Sequence, residues 1–526
     1  MKIRELTHLL TLNFKNSFMR KSNHSLKKPM SIFTLVALIS IFFASSCNAE
    51  KTELEKFLNR IEIQYEQISI ELGTAYWNFY SGEAEADLVA PKNKYYDLLT
   101  NDTLNSYIDT WYPKRSEVKD TLLRRRIEVW HNTLLSAKVE YDAEIMKLRN
   151  ELEEMLKVTD DNNNNTDDFS TKMLTLIKLR NKKAQELGFD NYVHLSFDNN
   201  GLGYTWFTNF VEKLDKETLE SYKTLVEKTK AEKQISEFDQ RNAFQYIGMF
   251  YANNTPPEPE KNNIDLVKES LANIGIDYTN LPAKLVEKQL PAGVGGQGIM
   301  LNIPYDFRAV MTLGMDISVW MHEMGHGLHC LYNSINSPIL EGYEWIPGNG
   351  APAFSEGMAE TSAGFTRNDE WLKKYTSLTD EDIKKRQEIM NTYAPAFIRY
   401  HLSNFVKEME LYLYPEKSYE EIQTEVAKKY MLIETDKIRT QDLKNIIYVS
   451  YPLYLQNYLI ADIVACQIHQ TLEEKFGSNY AFNKEVGSYL QQFYIGGEYY
   501  TWQQRMVNGT GKELDVDSYL KFYHIK

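Results

Sequence analysis

Residues 319–328 read Val-Trp-Met-His-Glu-Met-Gly-His-Gly-Leu, and the rest of the chain is read outward from them. On a helix, His322 and His326 stand four residues apart and project from one face, at the spacing two imidazole ligands of a single Zn²⁺ require. Glu323 follows the first His directly, where it can act as a general base on water beside the metal. A His-Glu-x-x-His pattern also arises in helices where the two imidazoles are ordinary surface groups. Here Val319, Trp320, Met321 and Leu328 make the helix apolar enough to bury, and a buried His pair needs a partner.

A catalytic zinc keeps three protein ligands and one open position. The third ligand is expected on a following helix, and residues 350–360, Gly-Ala-Pro-Ala-Phe-Ser-Glu-Gly-Met-Ala-Glu, supply it. Gly348, Gly350 and Pro352 make a turn, and a helix can start near Ser355. Glu356 and Glu360 then lie one turn apart on a shared face. Glu356 is the expected third ligand, and Glu360 the acceptor for the ring N–H of a ligand His. An isolated pair of this kind is as often a solvated acidic face; the His pair upstream argues otherwise.

These segments resemble the peptidyl-dipeptidase A family, to which angiotensin-converting enzyme belongs. That family carries HEMGH or HELGH, then a segment whose Glu is the third zinc ligand and whose Asp lies four residues on. The present chain has Ser355 where the family has His and Glu360 where it has Asp. Asp306-Phe307-Arg308, Met315-Asp316, Ala75-Tyr76-Trp77-Asn78 and Glu186-Leu187-Gly188-Phe189 are also similar. The resemblance implies a mainly α fold: a two-lobed, neurolysin-like helical ellipsoid with a deep central cleft and a small β-sheet near the zinc helix. It implies one Zn²⁺ per chain and a peptidase that releases C-terminal dipeptides from oligopeptides. A zinc oligopeptidase with endopeptidase cleavage is the alternative within that class. A catalytically inactive, peptide-binding envelope lipoprotein is the alternative outside it, and the presence of Glu323, both His and Glu356 argues against it.

The resemblance also reaches residues 448–458, Tyr-Val-Ser-Tyr-Pro-Leu-Tyr-Leu-Gln-Asn-Tyr. Tyr458 matches the family's oxyanion-stabilising Tyr. The family's nearby His has no His counterpart, and Tyr448 or Tyr451 is its replacement as a donor. Tyr451 is therefore ranked behind Tyr458, and Tyr454 last. Asn457 stands where chloride-activated members have Arg, so chloride dependence is not expected. His326 and Glu356 are 30 residues apart, a longer connection than is usual in the family. His329, His131, His194, His401 and His469 lack metal spacing and are expected to be structural.

Around this site the sequence reads as one large helical domain. Leu54, Phe57, Leu58, Ile61, Tyr65, Ile68 and Leu72 recur at helical spacing, as do apolar positions in residues 206–226 and 455–472. The strand signal is best at Gly298–Asn302, continuing towards Phe307. Asp160–Asp168 and Asn253–Asn263 read as loops. The 526 residues are 43% hydrophobic and 25% charged, which excludes a disordered or fibrous chain. The net charge is −14 with no basic run in the body, which argues against nucleic acid as a partner.

Before that domain, Ser31–Ser46 (SIFTLVALISIFFASS) is an apolar run too short to span comfortably, preceded by Arg20, Lys21, Lys27 and Lys28. It reads as a signal peptide of lipoprotein type over 1–46, with Cys47 lipidated and 47–526 the zinc metallopeptidase domain. The expected location is the cell envelope, with membrane contact only through the lipid at Cys47. Cleavage leaves 52 basic and 72 acidic residues, a net charge of −20. Cys330 and Cys466 sit in apolar helical contexts and are expected to be core residues.

Overall fold

The computed structural model describes residues 32–157, 166–257, 259, 261–290, 295–343, 351–435, 438 and 443–525, with backbone alone over 32–50 and at 157, 166 and 167. The chain divides into two compact units, residues up to Leu58 and Asn59–Lys526. The first is helical from Ile32 onward. Most of the expected signal segment, and the side chain of Cys47, lie outside the described residues. Among the described residues no helix is long and apolar enough to cross a membrane.

The second unit is mainly helical with one small sheet. Helix α1 (Ile32–Ser81) enters it at Asn59. Helix α2 (Thr121–Glu140) is capped by Asp120, whose carboxylate accepts from the N–H groups of Leu122 and Leu123. Helix α3 (Thr166–Glu186) begins where the loop expected at 160–168 was to continue; residues 158–165 lie outside the described residues. Helix α4 is Tyr204–Lys233 and α5 is Gln240–Asn254.

Three strands follow: β1 (Ala283–Glu287), β2 (Gly296–Asn302) and β3 (Asp306–Met311). Their order is β1-β3-β2, with β1 parallel and β2 antiparallel to β3, so β2 forms one edge. The single strand expected from Gly298 towards Phe307 is two strands. Pro304 cannot donate to a ladder, and the chain turns at Ile303–Tyr305. Period-two alternation then sorts the side chains. Ile299, Leu301 and Val310 pack with Trp77 of α1 and Leu290 on one face. Phe307, Ala309 and Met311 are buried on the other.

That second face receives helix α6 (Ile317–Leu331), which carries residues 322–326. Asp316 caps α6 by accepting from the Ser318 N–H at 2.9 Å. Helix α7 (Pro352–Gly364) starts with Pro at its first turn and carries Glu356 and Glu360. Beyond it come α8 (Asp380–Leu413), α9 (Tyr419–Met431) and α10 (Leu455–Phe476).

Helices α6, α7 and α10 lie side by side as the most extensively packed layer. Two glycines allow the close approach. A Cβ on Gly325 of α6 would stand 2.6 Å from the Ala359 Cα and 2.9 Å from the Met358 carbonyl oxygen of α7. A Cβ on Gly357 of α7 would stand 2.5 Å from a methyl of Val464 on α10. Cys330 and Cys466 are free and buried, as core residues.

Candidate active site

The packing of α6 against α7 brings His322, His326 and Glu356 together, with one ligand atom of each lying within 4.8 Å of the others. Glu356 Oε2 is 3.4 Å from His322 Nε2 and 3.8 Å from His326 Nε2. The outer ring nitrogens are occupied. His322 Nδ1 lies 3.0 Å from Glu360 Oε1, and His326 Nδ1 lies 3.0 Å from the Ser355 hydroxyl. With each Nδ1 turned to those oxygens, each Nε2 is the ring nitrogen left facing the Glu356 carboxylate.

Whether a metal suits this cluster is decided by one atom. Glu356 is 6% exposed, and its Oε2 is buried with no hydrogen-bond donor. A buried carboxylate oxygen without a donor is costly, and a cation among three converging donors removes that cost. Two imidazoles and one carboxylate are a donor set that zinc takes in catalytic sites. The residues fit the group.

The electrostatics follow from the same contacts. Burial opposes a charged His322, but the adjacent carboxylates of Glu356 and Glu360 hold its pKa well above the ordinary value. Burial keeps His326 low, and the neighbouring His322 adds to that effect. Burial alone would raise Glu360; the hydrogen bond and charge of His322 and the charge of Arg367 instead bring it to about 2. Glu356 is likewise held low against burial, by His322, His326 and the hydroxyl of Tyr454.

The tyrosines are distributed differently from the sequence ranking. The Tyr454 hydroxyl donates to Glu356 Oε1 at 2.8 Å. Tyr458 lies close enough to the carboxylates to feel their charges. Burial first, and then the charges of Glu356, Glu323 and Glu360, push its hydroxyl pKa far upward, so it remains a neutral donor. Tyr451 is 50% exposed; the charged groups nearest its hydroxyl are Glu153 and Arg149, with Tyr80 beside it. Tyr448 is buried near Glu408. Of the two, Tyr454 and not Tyr451 makes the hydrogen bond to Glu356. A left-handed residue, Leu453 at φ 56°, lies between the two, and the later ring's hydroxyl reaches Glu356 on α7.

Sequence reasoning also missed Arg367 and Asp462. Arg367 donates to the Glu360 carbonyl at 3.3 Å and lies 3.6 Å from its carboxylate. Asp462 is held well above the usual carboxylate range by burial and by the Glu360 charge. Arg367 follows Glu360 by seven residues, on the turn after α7, whereas Asp462 comes near it through the packing of α7 on α10.

The histidines without metal spacing have other partners. His329 is buried with Arg505 Nη1 at 3.1 Å. His469 lies 3.0 Å from the Thr361 carbonyl, His131 stacks on Tyr112, and His194 lies 3.1 Å from Asp190. His401 packs edge-on to Phe397.

No family model and no curated protein matches the sequence. Solved structures do match. Metallocarboxypeptidase 1 of Trypanosoma cruzi superposes with a TM-score of 0.64 at 14% identity, covering 90% of this chain and 99% of that one. A Pyrococcus furiosus carboxypeptidase gives 0.60 at 15% identity, covering 89% and 98%. The M32 carboxypeptidase from Deinococcus radiodurans R1 gives 0.59 at 10% identity, covering 89% and 99%. The chain has the helical carboxypeptidase fold. This likeness runs to metallocarboxypeptidases and does not support the narrower resemblance to peptidyl-dipeptidase A.

Proposed function

We propose that the protein is a metal-dependent peptidase that hydrolyses oligopeptides from the C-terminal end. The observation that carries this reading is the buried, donor-free Oε2 of Glu356 aimed at two imidazole nitrogens, with Glu323 beside them on α6. The fold likeness to carboxypeptidases favours release of single residues. The likeness of residues 350–360 to the dipeptide-releasing family favours a second reading, release of dipeptides.

His322, His326 and Glu356 would hold one Zn²⁺, which when bound polarises a carbonyl and lowers the pKa of water. Glu360 and Ser355 keep the two imidazoles in the tautomer that offers Nε2. Glu323 takes a proton from the attacking water as its oxygen bonds to the carbonyl carbon. Tyr458 donates its hydroxyl proton in a hydrogen bond to the developing oxyanion without adding charge. Glu323 then delivers the proton to the amine nitrogen as the C–N bond breaks, leaving a carboxylate and a free amine.

The export reading belongs to the same proposal. Residues 1–46 act as a lipoprotein-type signal, Cys47 carries the anchor, and the peptidase works in the cell envelope on peptides that reach it.

Product mass spectrometry on peptides with free and amidated C-termini tests the reaction. Single-residue or dipeptide products from free peptides alone support the two C-terminal readings in turn. Internal cleavage indifferent to amidation points to an endopeptidase. Zinc-loaded protein that cleaves none of them refutes the proposal. Glu323→Gln should keep its metal and lose activity, whereas His322→Ala, His326→Ala or Glu356→Ala should lose the metal.

A further inference from the structure

We propose that Tyr454 is the positioning residue that commits Glu356 to binding metal through one oxygen. This rests on the reading of His322, His326 and Glu356 as the ligands. A carboxylate has two equivalent oxygens and can turn either, or both, towards a cation. In this structure they are not equivalent. Oε1 accepts from the Tyr454 hydroxyl at 2.8 Å, while Oε2 has no donor and lies 3.4 and 3.8 Å from the two imidazole nitrogens. The tyrosine occupies one oxygen and aims the other.

The hydroxyl can do this because the segment that carries it is fixed from behind. Arg180, fully buried and paired with Glu140 at 2.9 Å, donates to the carbonyls of Tyr448 at 3.2 Å and Val449 at 2.7 Å. The Leu453 N–H donates to Glu408 Oε1 at 2.7 Å, holding the left-handed turn just before Tyr454. Tyr454 then stands at the N-terminal boundary of α10, its ring edge-on to Tyr451 at 6.1 Å and to Tyr458 at 5.5 Å. A flexible donor would follow the carboxylate wherever it turned. This one is held, so the carboxylate follows the donor.

The consequence concerns metal affinity, separately from turnover. Partners that orient a ligand contribute about 10–100-fold in affinity. Tyr454→Phe keeps the ring and its packing and removes only the hydroxyl. The test uses the full chain stripped of metal and titrated with Zn²⁺ against a chromophoric chelator, for wild type, Tyr454→Phe, Tyr458→Phe and Glu356→Ala. The visible spectrum of each Co²⁺ form reports the ligand field independently of affinity. The expected result is a 10–100-fold weaker Zn²⁺ affinity and displaced Co²⁺ bands for Tyr454→Phe. Tyr458→Phe should stay within about twofold of wild type with unmoved bands, since its place is at the oxyanion rather than at a ligand. Wild-type affinity and an unmoved spectrum in Tyr454→Phe would overturn the proposal, as would equal losses in both Phe variants. If Glu356→Ala also bound Zn²⁺ like the wild type, the ligand set itself would be wrong. A loss in Glu356→Ala without one in Tyr454→Phe refutes the role of Tyr454 alone.

Discussion

Gly298→Ala should damage turnover while sparing both the fold and the metal. Gly298 lies on edge strand β2, and a Cβ built there would stand 2.7 Å from Glu323 Oε2 and 3.1 and 3.3 Å from the ring of Phe307. Phe307 is fully buried and cannot retreat, whereas the Glu323 carboxylate ends a flexible, half-buried side chain. Ordinary contact between such atoms begins at about 3.4 Å, so the carboxylate must withdraw by roughly 0.7 Å. Displacing a reacting group by about 1 Å costs on the order of 10²-fold, which sets the expected fall in kcat at about 10–10²-fold. Pressing the new methyl on Phe307 should cost about 1 kcal/mol of stability, a small change in Tm for a chain this long.

Gly296→Ala is the control. Its Cβ would press on the Met311 sulfur at 2.5 Å but meet Glu323 Oε1 only at an ordinary 3.4 Å. Steady-state kinetics on a cleaved peptide, with metal content and melting curves for each variant, decide the matter. Wild-type kcat in metal-replete Gly298→Ala, or the same loss in Gly296→Ala, would refute the reasoning.

Tyr458→Phe should lower kcat by roughly 10²-fold with little change in KM, since its hydrogen bond forms mainly in the transition state; Tyr451→Phe, half exposed and turned elsewhere, should stay close to wild type in the same assay. Glu408 is 1% exposed, and burial raises its carboxyl from 4.5 to about 7, against the Leu453 N–H, Arg180 and Lys407. The folded state thus retains a proton that the unfolded chain releases, so stability present below about pH 4.5 is lost as pH rises through about 7, by about 3 kcal/mol in all. Denaturant melts across that range should show Glu408→Gln flattening this slope, and an unchanged slope would contradict it. Cys47→Ser should move the protein from the membrane fraction to the soluble one with activity intact; wild-type protein recovered from cytoplasm with Met1 in place would defeat the export reading.

The residues that come together as His322, His326 and Glu356 could be read from the sequence because they depend on local helical spacing. Two His at i and i+4 share a face in any α-helix, and Pro352 marks the start of the helix that carries Glu356 and Glu360. Tyr454 was hidden for the opposite reason. In a run holding Tyr448, Tyr451, Tyr454 and Tyr458, spacing alone favours none, and the choice is made by a left-handed Leu453 held by Glu408, 45 residues away. Ala283–Glu287 was missed as a strand because its alternation is weak, with only partly buried side chains on both faces. The narrower family resemblance rested on a motif and a following Glu. Many metallopeptidases share those parts, and the course of the whole chain separates one group from another.

The contact of Gly325 with Ala359 bears on what happens when the ion leaves. Between α6 and α7 the atoms nearest that point are the Ala359 Cα and the Met358 carbonyl oxygen, with the short Ser362 hydroxyl beside them. An interface padded with long side chains can swell or settle through rotamer changes. A seam this close to backbone has little such slack, so it limits how far the His pair and Glu356 can move apart. In small zinc domains the ion supplies the folding energy, and its removal unfolds the chain. Here the donors are carried by helices packed into a large core of their own. On the proposed ligand set, metal exchange should then be a local event, and the stripped protein should keep its tertiary structure.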